Sequence, residues 1–131
     1  MTESHKVFIS YGHRDRQWVR EFADELSNEG INAWMDEKDI KWGDSWEDKL
    51  EEALRRSETM VFIVDPESLT SSNSNFELGV ALGAGKRLIA IVDRDVPVKD
   101  LPGPIRSRRY LTKERPKETA RDVARALASV D

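Results

Sequence analysis

Short runs that are apolar on every residue, spaced by stretches with a helical apolar period, constrain this chain more than any other feature. Val7, Phe8 and Ile9 form the first run, ended by the turn-prone Ser10-Tyr11-Gly12. Residues 31–34 form a weaker second, residues 60–64 (M-V-F-I-V) the strongest, and residues 88–92 (L-I-A-I-V) a fourth; residues 109–111 suggest a short fifth. Strands without apolar–polar alternation must be buried on both faces, which a parallel sheet covered by helices achieves. Between the runs, Trp18, Phe22 and Leu26 recur every four residues behind Asp15, a candidate N-cap, with Gly30 as the stop. Trp46, Leu50 and Leu54 make a second stripe behind Ser45, residues 75–82 a third helix, and residues 119–130 a last one. The expectation is a single α/β domain over residues 1–131: a flavodoxin-like, doubly wound parallel sheet of about five strands in the order 2-1-3-4-5, with helices on both faces.

Composition narrows the chemistry. The chain has no cysteine and only two histidines, His5 and His13, so disulfides, thiolate nucleophiles and Cys- or His-rich metal centres are not expected. No apolar run approaches the ~18 residues of a membrane span, and residues 1–10 lack a signal-peptide layout, which points to a cytoplasmic protein. Residues 106–131 carry 8 basic and 4 acidic side chains, but no aromatic series accompanies them, so a solvated face is expected and nucleic acid is not.

In a sheet of this order, ligands bind beyond the carboxyl ends of strands one and three, where the winding reverses. The walls there would be Ser10, Tyr11, Gly12 and His13 on one side and Asp65, Pro66, Glu67 and Ser68 on the other. Glu77 rides on the helix that follows, and the loop with Asp36, Asp39, Lys41 and Trp42 overhangs the same end. Three familiar chemistries fail. Residues 79–86 have the wrong glycine spacing for a phosphate loop, and Arg87 stands where Ser or Thr is needed. A phosphoacceptor site needs a carboxylate pair at the end of strand one, which F-I-S-Y does not offer, although Asp65 suits the strand-three position. No G-x-S-x-G elbow exists for a serine hydrolase.

Four segments in order resemble the Toll/interleukin-1 receptor (TIR) domain family, in its bacterial type. They are F-I-S-Y-G-H-R-D from Phe8, W-M-D-E-K-D-I-K-W-G-D-S-W from Trp34, M-V-F-I-V-D-P-E-S-L from Met60, and N-F-E-L-G-V-A-L-G-A-G-K from Asn75. The resemblance implies one of two activities: cleavage of NAD at the nicotinamide–ribose bond, by hydrolysis or by cyclisation, or scaffolding through TIR–TIR association. In the enzymatic case it implies Glu77 as the single catalytic carboxylate, NAD as substrate with no permanently bound cofactor or metal, and a role in signalling or defence. One carboxylate suffices because nicotinamide departs neutral from a cationic pyridinium, so no general acid is demanded. Ser10, Tyr11, Gly12, Asp36, Trp42, Trp46 and Asn73 are the expected substrate-binding positions. Asn73 stands where enzymatic relatives place a tryptophan, and its presence favours the scaffold alternative. The helix pattern E-L-G-V-A-L also resembles nucleoside 2-deoxyribosyltransferases, a third reading. Residues 35–46 are long for an α/β connection and mix Ile40 and Trp42 with Asp39 and Lys41, as interface anchors do, so self-association is expected there.

Overall fold

The computed structural model describes residues 6–35, 56–66, 69, 85–107 and 110–128. Strands β1 (Lys6–Ser10), β2 (Asn32–Met35), β3 (Thr59–Val64), β4 (Arg87–Val92) and β5 (Leu111–Thr112) form one sheet in the order β2-β1-β3-β4-β5. Every neighbouring pair is parallel. The expected architecture and strand order are both observed.

The two-sided burial of the strands explains the two cores. Side chains alternate across a sheet, so Val7, Ile9, Val61, Ile63, Ile89 and Ile91 face one way, onto helices α1 (Arg16–Asn28) and α3 (Pro116–Ala128). Val19, Phe22 and Leu26 of α1 and Ala120, Val123 and Leu127 of α3 complete that layer. Phe8, Met60, Phe62, Val64, Leu88, Ala90 and Val92 face the other way. There Trp34 stacks on Phe8, with ring centroids 5.0 Å apart. Val96, Leu101 and Ile105 cover the strands on this side. They lie on a segment that includes a 3-10 turn at Val98–Asp100 and the short helix α2 (Gly103–Arg106). The sequence of this segment carries no strand or helix period, and its prolines and glycine favour turns.

Two boundaries and one cap differ from expectation. The β5 expectation at residues 109–111 moves to Leu111–Thr112, where Leu111 pairs with Ile91 and Thr112 with Val92. Helix α3 begins three residues before the expected Thr119, with Pro116 in its first turn, where a proline costs no hydrogen bond. Asp15 precedes α1 as expected, but its side chain makes no capping hydrogen bond. The α1 entry is held instead by a 3-10 turn, His13–Asp15, in which the Asp15 amide bonds the Gly12 carbonyl at 3.1 Å.

The other end of α1 is closed as its sequence requires. Gly30 adopts φ 81°, its amide bonds the Ser27 carbonyl, and the Ile31 amide reaches back to the Leu26 carbonyl at 2.9 Å. This left-handed glycine turns the chain so that Ile31 packs with Leu26 and the chain enters β2. A Cβ at Gly30 would meet nothing within 4 Å, so the cost of substitution there is conformational alone. Gly30→Ala is expected to destabilise by about 1 kcal/mol and Gly30→Asn by less, measured by urea unfolding. Equal stability of all three proteins would show that the left-handed turn is not needed.

Candidate functional site at the carboxyl edge of the sheet

A sheet apolar on both faces leaves its polar groups at the strand ends, and here they converge on the carboxyl edge. The β3–β4 ladder continues one step beyond the strands through the Asp93 amide, bonded to the Val64 carbonyl at 2.8 Å. The β4–β5 ladder continues likewise through the Lys113 amide, bonded to the Val92 carbonyl at 2.9 Å. These steps bring Asp65, Asp93 and Lys113 to one end of the molecule, where the turn after β1 adds Asp15.

The Lys113 ammonium is the centre of the cluster. Its Nζ lies 2.6 Å from Oδ1 of Asp15 and 3.7 Å from Oδ2 of Asp93. It also sits 5.1 Å from the centroid of the Trp18 ring, an approach favoured by the negative face of the indole. Trp18 is fixed in turn by stacking on Phe22 and by its Nε1–H, which donates to the Glu114 carbonyl at 3.0 Å. Asp15 retains only 4% of its surface and Asp65 none. Oδ2 of Asp15 is buried without a hydrogen-bond partner among the described residues. Burial, foremost, and the adjoining Asp65 carboxyl push the Asp15 carboxyl up to about 6, against the pull of Lys113. Among the described residues no three His, Cys, Asp or Glu side chains are grouped to hold a metal ion. The cation of this cluster is the lysine.

The expected crevice residues divide. Ser10 is fully buried at the end of β1, Tyr11 is 8% exposed within the core against α1 and α3, and Gly12 is half-buried. Ser10, Tyr11 and Gly12 therefore lie together at the β1 end, near the β3 end with Asp65, as the strand order requires. Asp36, Asp39, Ile40, Lys41, Trp42, Trp46, Asn73 and Glu77 lie outside the described residues, as do Glu67 and Ser68. His13 belongs to the 3-10 turn. An open pocket of about 380 Å³ lies beside this edge, lined by Pro66 and Leu69 after β3 and by Asp95, Val96, Pro97 and Asp100 after β4. Lys113 and Asp93 were not among the expected site residues; the usable signal was that each directly follows a strand.

The fold and this charged edge define a class, the doubly wound α/β domains that keep polar chemistry at the carboxyl ends of their strands. A family model for the TIR domain matches residues 7–127, and the chain belongs to that family. It is 33% identical over 73 residues to a 2′ cyclic ADP-D-ribose synthase of Acinetobacter baumannii, covering 55% of this chain and 27% of that protein. It is 36% identical over 52 residues to an NAD(+) hydrolase of Theionarchaea archaeon, covering 39% and 16% respectively. The aligned part is thus about a quarter or less of the length of these relatives. The crystal structure of the TIR domain of a Toll-related receptor from Hydra magnipapillata superposes with a TM-score of 0.75 at 20% identity, covering 93% of each chain.

Because the folded state raises the Asp15 carboxyl from 3.8 to about 6, the folded protein binds more protons than the unfolded chain between those values. The contribution of Asp15 to stability is therefore greatest near pH 4 and declines as pH rises through 6. Lys113→Met removes the counter-cation and is expected to destabilise by about 3 kcal/mol at pH 8, and by clearly less at pH 5, where Asp15 takes up a proton. Thermal unfolding at both pH values checks this; an equal loss at each would contradict it.

Proposed function

We propose that this domain cleaves NAD at the nicotinamide–ribose bond, with Glu77 as its catalytic carboxylate. The observation that carries the reading is the sequence relationship to proteins named as a cyclic ADP-ribose synthase and an NAD hydrolase, within a family match covering residues 7–127. The β1–β3 switch point supports it, because Ser10, Tyr11 and Gly12 end β1 there and Asp65 ends β3.

In this reading Ser10 and Tyr11 form the floor of the nicotinamide–ribose end, and Gly12 lets the ligand approach the backbone. Asp36, Trp42, Trp46 and Asn73 complete the substrate site. Glu77 lies beneath the ribose, where its negative charge opposes the positive charge that develops on the sugar as nicotinamide leaves. The electron pair of the C–N bond goes to the pyridinium nitrogen and neutralises it, so no proton need be delivered to the leaving group. Water then attacks the anomeric carbon to give ADP-ribose, or a nucleophile of the same molecule attacks to give a cyclic product. The domain would act in the cytoplasm, in signalling or defence.

The loop carrying Asp39, Ile40, Lys41 and Trp42 associates with a second TIR domain in this account, so that activity depends on concentration. Asn73 favours a second reading, a scaffold that associates in the same way without cleaving NAD. Glu77→Gln keeps shape and hydrogen bonding but removes the charge, and is expected to slow nicotinamide release by about 10²–10³-fold with the fold intact. Near-normal turnover in that variant would remove Glu77 from the catalytic role. Specific activity is expected to rise with protein concentration and Trp42→Ala to flatten the rise. Constant specific activity over a hundredfold dilution of both proteins would show that each copy works alone.

A further inference from the structure

The ends of β1 and β5 are joined at the carboxyl edge by side chains, because β3 and β4 stand between these two strands in the sheet. At roughly 4.8 Å per step, the two strands lie about 14 Å apart. Lys113, the first residue after β5, and Asp15, from the turn after β1, close that gap. Their Nζ and Oδ1 atoms lie 2.6 Å apart, with Oδ2 of Asp93 at the end of β4 also 3.7 Å from the ammonium. The contact is shielded: the Lys113 and Asp15 side chains keep 16% and 5% of their surface, against 69% and 34% for the neighbouring Arg94–Glu114 pair. A shielded ion pair holds one geometry, whereas an exposed pair is screened and loose.

The two partners are not equally fixed. The Lys113 amide donates to the Val92 carbonyl at 2.9 Å, and the Glu114 amide after it donates to Oγ1 of Thr119, near the start of α3, at 2.9 Å. Trp18 of α1 adds a further tie, with its ring 5.1 Å from the ammonium and its Nε1–H on the Glu114 carbonyl. Asp15, by contrast, ends the three-residue 3-10 turn His13–Asp15, which its amide closes on the Gly12 carbonyl at 3.1 Å. Short 3-10 turns have poorer hydrogen-bond geometry than an α-helix, so their course depends on what their side chains grip. The Asp15 carboxylate makes no capping bond to α1 and grips Lys113 instead.

We propose that Lys113 is a positioning residue for the substrate site: through Asp15 it holds the turn after β1, so that Tyr11 and Gly12 keep the places that receive the nicotinamide–ribose end of NAD. The inference rests on the NAD-cleaving reading and adds to it a residue from the far edge of the sheet. Lys113 acts at one remove. It touches Asp15, Asp15 closes on Gly12, and Gly12 follows Ser10 and Tyr11 at the end of β1. Without the cation the buried Asp15 carboxylate loses its counter-charge, turns toward water and draws the turn with it. That movement leaves the reacting bond alone, so NAD binds less well while the bound complex reacts at close to its former rate.

The test is initial-rate kinetics of nicotinamide release by the full chain at pH 8, with backbone amide NMR spectra of the same proteins. Lys113→Met keeps the side-chain stem and removes the charge. It is expected to raise KM at least about fivefold with kcat within about twofold, and to shift the Gly12 and Asp15 amides. Lys113→Arg keeps a cation in place and is expected to return KM to within about twofold of wild type. Leu127→Ala, a core substitution near the opposite end of α3, controls for lost stability alone and is expected to leave KM unchanged. If Lys113→Met does not fold, Asp15→Asn breaks the same ion pair with a side chain of equal size and must raise KM likewise. An unchanged KM in the ion-pair variants, an equal rise in Leu127→Ala, or a loss of kcat at constant KM would overturn the proposal. Wild type that binds NAD without releasing nicotinamide would refute the catalytic reading alone, and the dissociation constant for NAD then replaces KM as the readout. Wild type that does not bind NAD would overturn both.

Discussion

Burial of the sheet on both faces is the constraint on which the rest of this structure depends. Once β1, β3 and β4 are apolar throughout, neither face of the sheet can carry a charged site without desolvating it. Polar and charged side chains are driven to the strand ends. Parallel pairing then places the ends of β1, β3, β4 and β5 on one edge, so residues far apart in sequence meet there. The two cores hold this arrangement rigid, one beneath α1 and α3, the other beneath residues 96–105.

At that edge the energetics invert. Lys113 is bound by Asp15 at 2.6 Å and rests over Trp18, so it is well satisfied. Asp15 is not satisfied to the same degree, since its Oδ2 is buried without a hydrogen-bond partner among the described residues. A buried, half-satisfied carboxylate weakens the fold and persists where surrounding packing enforces it. Here the enforcement comes from the extended ladders that fix Asp93 and Lys113 and from the 3-10 turn that fixes Asp15. This cluster lies beside the end of β1, where Ser10, Tyr11 and Gly12 stand.

Much of the fold was legible because its signal is local. Met60 through Val64 can only be an interior strand, and the Trp18, Phe22, Leu26 stripe can only be a helix with one buried side. The order 2-1-3-4-5 followed from chain length and strand count with the family resemblance beside them. What escaped was tertiary. Asp15 reads as an N-cap because aspartate before a helix commonly is one, yet its partner Lys113 stands 98 positions away and draws the carboxylate off the backbone. Val96, Leu101 and Ile105 show no period because Pro97, Pro102 and Gly103 punctuate them, although they belong to the same buried cluster as Phe8, Phe62 and Val92. Of the candidate site, the β1 end was legible by position, while the depth at which Ser10 and Tyr11 lie was not, since burial depends on α1 and α3 folding over them.

The central claim, that this edge serves cleavage of the nicotinamide–ribose bond, is tested most directly by incubating concentrated protein with NAD and separating the products by chromatography. The account predicts loss of NAD with one nicotinamide released for each ADP-ribose or cyclic ADP-ribose isomer formed. NAD recovered intact after prolonged incubation with folded protein, at the highest concentration it tolerates, would contradict it.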